Sequence, residues 1–391
     1  MNYDEYILKE RETLYNRKKV MIDNLKEKYI KNKINMNVLD LFCGCGGFST
    51  GFEKAGFKII AGIDIWDKAV ESFRENHKDS LGICEDLTKY KPEDLECYLK
   101  ENNKNTDIDI IIGGVPCQGF SMAGKRESND PRNSLFMEYV KFLNYYKPKG
   151  FLFENVMGIL SMKTESNELA IDIIMSHLNT DYNCVICKLY ASDFEVPQNR
   201  RRVIIYGIRK DLNILPSEPI ECIKNISDRI PVKSVLMDKE LVDKKYYLSE
   251  KAIEGINRRK EKMKNENKGF GAQFLDLEKP SFTISSRYYK DGYDALVKYS
   301  ETKIRRLTIL ELKRIQSFSD DYYLSGNNKE QIMQIGNAVA PTFAKHLGIH
   351  LKNMLNNISI NSNIKYEKNG LEKYTVKQLK DLCKKNHIKS Y

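Results

Sequence analysis

Alternation of short apolar runs with helical patterns is the feature of this sequence that most restricts its fold. Four short apolar runs are bounded by Gly or polar turns, and helical patterns at 66–76 and 133–146 follow two of them. The runs are VLDLF (38–42), KIIAGID (58–64), DIDIIIG (107–113) and KGFLFEN (149–155). Strands that alternate with helices favour a parallel sheet covered by helices on both faces. The sequence therefore predicts an α/β fold with a doubly wound sheet.

The rest of the chain predicts further segments around this sheet. Residues 183–196 and 201–208 predict two more strands, paired as a hairpin at the sheet edge. From about residue 210 the regular pattern breaks into short basic pieces rich in Tyr, which indicates a second, smaller domain. We expect a charged helical extension at 1–36, a main α/β domain at 37–210, the smaller domain at 211–300, a return of the chain to the main domain at 301–355, and a linker with a C-terminal helix at 356–391.

The net charge of +10 is unevenly distributed. Residues 37–197 hold 17 Lys/Arg against 25 Asp/Glu, whereas residues 198–317 hold 27 against 17. This asymmetry is expected if one lobe holds a small ligand and another meets phosphates, and a solvated basic surface is the alternative. Because the first residues are charged and no apolar stretch reaches about 20 residues, we expect no signal peptide and no membrane span. We expect a cytoplasmic protein in which most of the nine cysteines are free thiols.

The stretch DLFCGCGGFSTGF (40–52) follows a predicted strand and opens a predicted helix. Its glycines allow the backbone to pass close to a ligand, and the pattern favours a nucleoside over a phosphate. Asp64 ends the next strand, where an acidic residue bonds ribose hydroxyls in dinucleotide-binding folds. Ile65 and Trp66 could pack against an adenine, and Asp86 could accept a hydrogen bond from its amino group. Each of these features also occurs for purely structural reasons.

Cys117 lies between Pro116 and Gln118 at the end of a predicted strand. A lone cysteine is usually a small core residue, but ligands bind at the carboxyl ends of strands in open α/β sheets. This position favours a nucleophilic thiol, which needs a lowered pKa or assistance during attack. The following stretch, GFSMAGKRESNDPRN, has the glycines and basic residues of a mobile lid that contacts phosphates.

Charged residues also stand at the ends of two other predicted strands. Glu154 is a candidate proton donor because a carboxyl group at the end of an apolar strand is costly without partners, and a structural pair with an arginine is the alternative. In QNRRRV (198–203), strand alternation places Arg200 and Arg202 on one side and Arg201 on the other. Two guanidiniums could therefore converge on one cleft, and an exposed basic edge is the alternative.

Two spacings of Cys and His resemble metal-binding patterns without completing them. Cys184 and Cys187 form a CxxC without a second pair, and His346 and His350 lie four apart on a predicted helix without a third ligand. We therefore expect no metal site.

Taken in order, these motifs resemble the DNA (cytosine-5) methyltransferase family. The resemblance covers residues 37–355 and extends to RRLTILELKRIQSF (305–318) and QIGNAVAP (334–341). It implies a Rossmann-like domain that binds S-adenosylmethionine and a target-recognition domain at 211–300. It also implies methyl transfer to C5 of a flipped-out cytosine in a short, specific sequence of double-stranded DNA. The implied setting is a bacterial restriction–modification system with a separate restriction endonuclease, and the implied state is a monomer.

The resemblance also implies roles for individual residues. Cys117 would be the nucleophile that forms an adduct with C6, Glu154 would hold the N3 edge, and Arg202, supported by Arg200, would contact the carbonyl oxygen. The residues lining the cofactor site would be Phe42, Gly44, Gly47, Asp64, Ile65, Asp86, Pro116, Leu135 and Asn337. The candidate DNA contacts are Ser121, Lys125, Arg126, Arg258, Arg259 and Arg287, with Tyr288 and Tyr289 as further candidate base readers.

Two other functions remain open at this stage. A branch of the same family methylates tRNA, but its CFT signature is missing from this sequence. A non-catalytic DNA-binding relative is the second alternative, and the joint presence of Cys117, Glu154 and Arg202 argues against it. Transfer to an exocyclic amine is disfavoured because the sequence has no DPPY or NPPY tetrapeptide. Two departures from the family pattern are Val115, where many members have Pro or Phe, and Asp64, where Glu is commoner.

Overall fold

A seven-stranded sheet forms the centre of the computed structural model, which describes residues 36–116, 134–164, 167–223, 225–265, 272–290 and 295–356. The strands lie in the order β3-β2-β1-β4-β5-β7-β6. Neighbours from β3 to β5 pair in parallel, and β7 runs antiparallel to both β5 and β6. In chain order they are β1 (Asn37–Leu41), β2 (Lys58–Asp64), β3 (Leu81–Cys84), β4 (Ile110–Gly113), β5 (Gly150–Val156), β6 (Tyr182–Tyr190) and β7 (Arg201–Arg209). The predicted α/β fold and the hairpin at the sheet edge are confirmed.

Helices connect the strands and continue beyond the sheet. A short antiparallel pair, β8 (Val297–Lys298) and β9 (Ile304–Arg305), lies apart from the main sheet. The α-helices of the described residues are α1 (Gly47–Lys54), α2 (Asp67–Asn76), α3 (Pro92–Glu101), α4 (Ser134–Tyr146), α5 (Ala170–Leu178), α6 (Glu250–Asn265), α7 (Ile309–Ile315), α8 (Asn328–Asn337) and α9 (Pro341–Leu355).

Both faces of the main sheet are buried under helices, which explains why its central strands are largely apolar. Leu39 of β1 packs into a cluster with Phe142 of α4 and Ile174 of α5. Its neighbour Val38 points to the other face, into a cluster with residues of α1 and α9. Because successive strand residues face opposite sides, each central strand contributes to both cores.

A separate hydrophobic cluster lies outside the sheet. Val232, Leu275 and Val297 share it with Leu312 of α7 and with Ile335 of α8. The α6 helix packs in a smaller group of its own with Leu296, which precedes β8, and with Ile304 of β9. Parts of the chain as distant as residues 232 and 338 therefore form one packed core beside the main sheet.

An ion pair with no solvent exposure fixes the entry to α7. The guanidinium of Arg305 contacts both carboxylate oxygens of Glu311 at 2.7 and 2.8 Å. The same carboxylate accepts the Thr308 N–H at 2.8 Å, and the Thr308 hydroxyl accepts the Glu311 N–H. These reciprocal bonds form a capping box, which satisfies donors that the first helical turn would otherwise leave unpaired.

The strand order reverses between β1 and β4, which are hydrogen-bonded neighbours. In open α/β sheets, the crevice outside the carboxyl ends of the strands at such a reversal is where ligands bind. The loops that leave these two strands begin at Phe42 and Gly114. Among the described residues, no helix is both long and apolar enough to cross a membrane.

Candidate active site

A cleft of about 560 Å³ opens at the point where the strand order reverses. It is lined by the ends of several strands, by the loop before α1 and by two segments from the C-terminal half of the chain. Eleven residues predicted for the site line this one cleft: Phe42, Gly44, Asp64, Ile65, Asp86, Pro116, Leu135, Glu154, Arg200, Arg202 and Asn337.

The glycine-rich loop between β1 and α1 is held in an unusual backbone conformation. Gly44 and Gly46 have positive φ angles of 53° and 94°, and Phe42 has one of 61°. A positive φ is costly for a residue with a Cβ atom, so Phe42 is held against an intrinsic preference. Gly47, predicted to line the cofactor site, instead starts α1 against Val339, whose carbonyl oxygen would lie 2.3 Å from an added Cβ. It is not among the residues that line the cleft.

Asp64 connects the end of β2 to this loop. Its Oδ2 accepts the Gly44 N–H at 2.9 Å, and its Oδ1 accepts the Trp66 N–H at the same distance. Burial raises the pKa of the Asp64 carboxyl, and the backbone donors oppose that shift. The side chain of the adjacent Ile65 is 68% exposed, so an apolar surface stands open beside the carboxylate.

Asp86, just beyond β3, provides a second carboxylate at the same end of the cleft. Its Oδ1 accepts hydrogen bonds from the Thr88 hydroxyl at 2.8 Å and from the Thr88 N–H at 3.0 Å. These bonds lower the pKa of Asp86. The carboxylate is therefore an ionised acceptor at neutral pH.

Asp40, within the glycine-rich motif, is a buried carboxyl that the sequence interpretation did not single out. It lies at the sheet end of the same loop, and its Oδ2 accepts the Ser49 hydroxyl at 2.6 Å. Desolvation by burial raises its pKa to about 7, and the neighbouring charge of Asp64 adds to the shift. An acidic residue in a strand followed by a serine on the next helix is the only signal of this contact in the sequence.

The raised pKa of Asp40 predicts a particular pH dependence of stability. Between its ordinary value of 3.8 and about 7, the folded protein binds this proton more tightly than the unfolded chain. The free energy of unfolding therefore falls as pH rises through this window, by at most about 1.4 kcal/mol per pH unit from this site. In Asp40→Asn that contribution should vanish. Urea unfolding of both proteins at pH 5, 6, 7 and 8 measures the difference, and parallel pH profiles would contradict it.

Glu154 and Arg202 form an ion pair across neighbouring strands in the cleft. Arg202 lies opposite Val156 in the β5–β7 register, which brings its Nε to 2.8 Å from Oε1 of Glu154. Both side chains are nearly buried. The pairing with an arginine that was one interpretation of Glu154 is thus present, and both partners face the same cleft.

Arg200 lies beside this pair, and its terminal nitrogens contact backbone carbonyls. Its Nη1 donates to the Ile284 carbonyl at 3.2 Å and its Nη2 to the Gly336 carbonyl at 3.1 Å. Gln198 accepts the Ile284 N–H at 2.9 Å, so the backbone of Ile284 is held on both sides. Burial lowers the pKa of Arg200 to about 9, which leaves the group charged at neutral pH. Arg200 therefore links two distant segments that both line the cleft.

The loop that leads from β4 toward Cys117 is held by β5. The side-chain amide of Asn155 donates to the Val115 carbonyl at 3.1 Å. This contact fixes the backbone two residues before the predicted nucleophile. Cys117, Ser121, Lys125 and Arg126 themselves lie outside the described residues.

The predicted DNA-contacting residues of the second half of the chain differ in their surroundings. Arg258 and Arg287 are exposed, and Arg259 lies on α6. Tyr288 is buried; its hydroxyl donates to the Ala295 carbonyl and accepts the Leu307 N–H. The expectation that Tyr288 reads bases is wrong because its ring is part of the core. Tyr289 lies under the ammonium group of Lys329, 5.1 Å from the ring centre.

Four cleft residues from the segment 283–286 were missed by the sequence interpretation. These residues, Thr283, Ile284, Ser285 and Ser286, all line the cleft. They approach because Gly336 has no side chain: a Cβ there would lie 2.3 Å from the Ser286 nitrogen. The segment has no periodicity, and the contact depends on a residue 50 positions away, so no local signal could reveal it.

The partial metal motifs are not assembled into a metal site. Cys184 packs on one face of the sheet and Cys187 on the other, as expected for strand residues three apart. Within the described ranges, no group of three or more His, Cys, Asp or Glu side chains could hold a metal ion.

A mostly parallel sheet with a ligand cleft at its switch point defines a Rossmann-like α/β enzyme. The sequence pattern of the C-5 cytosine-specific DNA methylase family matches residues 36–353. The chain belongs to this family, and its enzyme class is that of a DNA cytosine methyltransferase. The family resemblance inferred from the motifs is confirmed.

Curated relatives and solved structures agree with this assignment. The type II methyltransferase M.NlaX of Neisseria lactamica is 30% identical over 328 residues, which cover 82% of this chain and 98% of the relative. M.DdeI of Desulfomicrobium norvegicum is 46% identical over 179 residues, but the match covers only 45% of this chain and 41% of that protein. A solved structure described as a DNA modification methyltransferase from an E. coli prophage is 27% identical, with a TM-score of 0.64 over 82% of this chain and 99% of that one.

Proposed function

We propose that this protein transfers a methyl group from S-adenosylmethionine to C5 of a cytosine flipped out of double-stranded DNA. The observation that carries the proposal is that one cleft is lined by Asp64 and Asp86 at one end and by the Glu154–Arg202 pair at the other. A nucleoside-type donor and a pyrimidine edge could then be held side by side. The family assignment gives the reaction class.

The residues at the Asp64 end suit the adenosine part of the donor. The Asp64 carboxylate would accept hydrogen bonds from ribose hydroxyls, as an acidic residue does in dinucleotide-binding folds. The Asp86 carboxylate would accept a hydrogen bond from the adenine amino group. The exposed side chain of Ile65 would pack on the adenine ring, and Phe42, Leu135 and Asn337 would complete the wall. When bound, S-adenosylmethionine supplies the methyl group on a sulfonium centre.

The residues at the Glu154 end suit the chemistry at the base. Cytosine C5 is a weak nucleophile, so we infer that the Cys117 thiolate first adds to C6. Glu154 would supply a proton or hydrogen bond at N3 while Arg202 holds the carbonyl oxygen, which stabilises the negative charge of the adduct. Arg200 would act as a positioning residue, since its guanidinium already contacts two backbone carbonyls. C5 then accepts the methyl group and loses its proton to a base, and the thiolate leaves from C6.

Recognition of DNA is assigned to residues 211–300 as a target-recognition domain. Residues 198–317 hold 27 Lys/Arg and 17 Asp/Glu, and this net positive charge supports contact with phosphates. Arg258 and Arg287 are exposed in this segment. Arg259, Ser121, Lys125 and Arg126 are further proposed contacts. The cost of flipping the base, a few kcal/mol, would be offset by contacts in the cleft and along the backbone.

The biological role that we infer is protection of host DNA in a bacterial restriction–modification system. The relatives M.NlaX and M.DdeI are named as type II methyltransferases, which supports this role. A separate restriction endonuclease would cleave the same sequence when it is unmethylated. We infer a monomer, because one chain supplies both the cleft and the basic segment. We also infer that the protein acts in the cytoplasm.

Bisulfite sequencing of a plasmid tests the proposal. We expect cells that express the protein to yield protected cytosines within one recurring short sequence, whereas cells with an empty vector yield none. Absence of protection, despite folded protein, would contradict the assignment to DNA. Transfer of tritiated methyl groups to tRNA in that case would identify the RNA-modifying alternative.

Replacement of Asp64 by alanine should mainly weaken donor binding. Loss of a hydrogen bond to a charged group costs about 1.5–3 kcal/mol, so we expect the KM for S-adenosylmethionine to rise about 10- to 100-fold with a smaller change in kcat. Asp67→Ala is the matched control, because Asp67 is exposed on α2 and does not line the cleft. Equal KM values for the Asp64 variant and the parent protein would remove Asp64 from the donor site.

A further inference from the structure

An exposed cysteine outside the cleft contacts a histidine that is paired with a carboxylate. The Sγ of Cys222 lies 3.2 Å from Nδ1 of His346 on α9. The other ring nitrogen of His346, Nε2, lies 2.9 Å from Oε2 of Glu195. None of the three residues lines the cleft described above. The order thiol, imidazole, carboxylate is the arrangement in which a base activates a nucleophile and a third group orients the base.

Three separate parts of the fold hold this arrangement in place. The Asp193 carbonyl accepts the N–H groups of both Cys222 and Ile223 at 3.0 Å, which fixes the cysteine over α9. Glu195 follows the short 3-10 helix Ala191–Phe194 and has a positive φ of 60°. The His346 ring packs against the ring of Phe194, with centres 6.1 Å apart. The carboxylate of Asp193 is paired with Arg229, so Glu195 is the acidic group on the imidazole.

The Cys222 Sγ lies nearer to Nδ1 of His346, at 3.2 Å, than to Nε2, at 3.8 Å, and the Glu195 carboxylate contacts Nε2. That geometry favours proton transfer through the ring over coordination of a metal ion.

We propose that Cys222 is a nucleophilic thiol that forms mixed disulfides with low-molecular-weight disulfides. His346 accepts the thiol proton at Nδ1, while its Nε2–H donates to the Glu195 carboxylate. The thiolate attacks one sulfur of the disulfide, so that a bond from Cys222 to that sulfur forms and the original S–S bond breaks. The departing thiolate takes up the proton from His346. The modification is a second chemistry of this chain, independent of methyl transfer.

Oxidised glutathione is the probe for this site. The intact protein is treated at pH 7, and the modification of each cysteine is followed over time by peptide mass spectrometry. Cys84 and Cys97 are internal controls because both are exposed. We expect Cys222 to react at least about tenfold faster than either control, since His346 is placed to accept its proton during attack. The adduct should disappear on addition of dithiothreitol.

Variants of His346 and Glu195 test whether these two partners, and not solvent exposure alone, make the Cys222 thiol reactive. His346→Gln should slow the reaction of Cys222 about tenfold or more, and Glu195→Gln should slow it by a smaller factor. The matched control is His350→Gln, one turn along α9, because the Nε2–H of His350 donates to the Ser217 carbonyl at 2.8 Å. All three variants should retain methyl transfer, which shows that they are folded. Equal rates for Cys222, Cys84 and Cys97, or an unchanged rate in both partner variants, would overturn the proposal.

Discussion

Replacement of Cys117 by serine is expected to stop methyl transfer while leaving the binding of DNA and S-adenosylmethionine largely intact. A serine hydroxyl is a much weaker acid than a thiol and does not form the nucleophilic anion at neutral pH. Loss of a nucleophile from a covalent mechanism lowers kcat by at least about 10³-fold. Transfer of tritiated methyl groups to plasmid DNA gives the rate, and a gel-shift titration in the presence of the donor gives DNA affinity.

Cys97→Ser is the matched control for this substitution. Cys97 is an exposed residue of α3 that does not line the cleft, so its loss should leave the rate unchanged. Normal methylation by the Cys117 variant would remove the nucleophile assignment. A joint loss of rate and of DNA binding would indicate instead that the loop after β4 has a structural role.

The second large effect is expected for Glu154→Gln. Glutamine keeps the shape of the side chain but cannot supply a proton to N3, and it removes the negative partner of Arg202, 2.8 Å away. Loss of a general acid usually costs about 10²–10⁴-fold in rate. We expect kcat to fall within this range while the KM for S-adenosylmethionine changes little, because the proposed donor contacts, Asp64 and Asp86, follow other strands of the sheet.

Glu138→Gln provides the comparison for Glu154. Glu138 is also a buried carboxylate paired with a cation, Lys141, but it lies on α4 and does not line the cleft. Its variant should lose some stability and keep its kcat. A Glu154 variant with the kcat of the parent protein would show that the pair with Arg202 is purely structural.

The strands that build the site could be predicted because they are buried on both faces. Strands β1, β2, β4 and β5 are short runs rich in apolar residues, and this pattern also located Asp64 and Glu154 at or near strand ends. Strand β3 was missed, since LGIC has four residues and one of them is glycine. Helix α6 was missed because its sequence is dominated by charged residues and it contacts only a small apolar group.

Side-chain partners were harder to predict than strand positions. Arg200 and Arg202 both line the cleft, as alternation predicted, although Arg200 precedes β7. Alternation could not show that the terminal nitrogens of Arg200 donate to the carbonyls of Ile284 and Gly336. Residue type alone also gave a wrong prediction for Tyr288, which was expected to read bases but has a buried ring. Such contacts depend on which distant segments of the chain lie together in the fold, and a single sequence does not show which segments these are.

The segment 283–286 has a consequence for how the two substrates affect each other. It forms one wall of the cleft proposed to bind the donor, yet it belongs to the block proposed to read DNA, and Arg200 and Gln198 hold it to the segment just before β7. If the donor binds there, a DNA sequence that moves this wall changes the affinity for the donor. By thermodynamic linkage the donor must then change the affinity for that DNA by the same factor. The protein can thus distinguish target sequences by binding the donor with different affinity in each protein–DNA complex. Titration of the donor into the protein bound to each DNA measures these affinities.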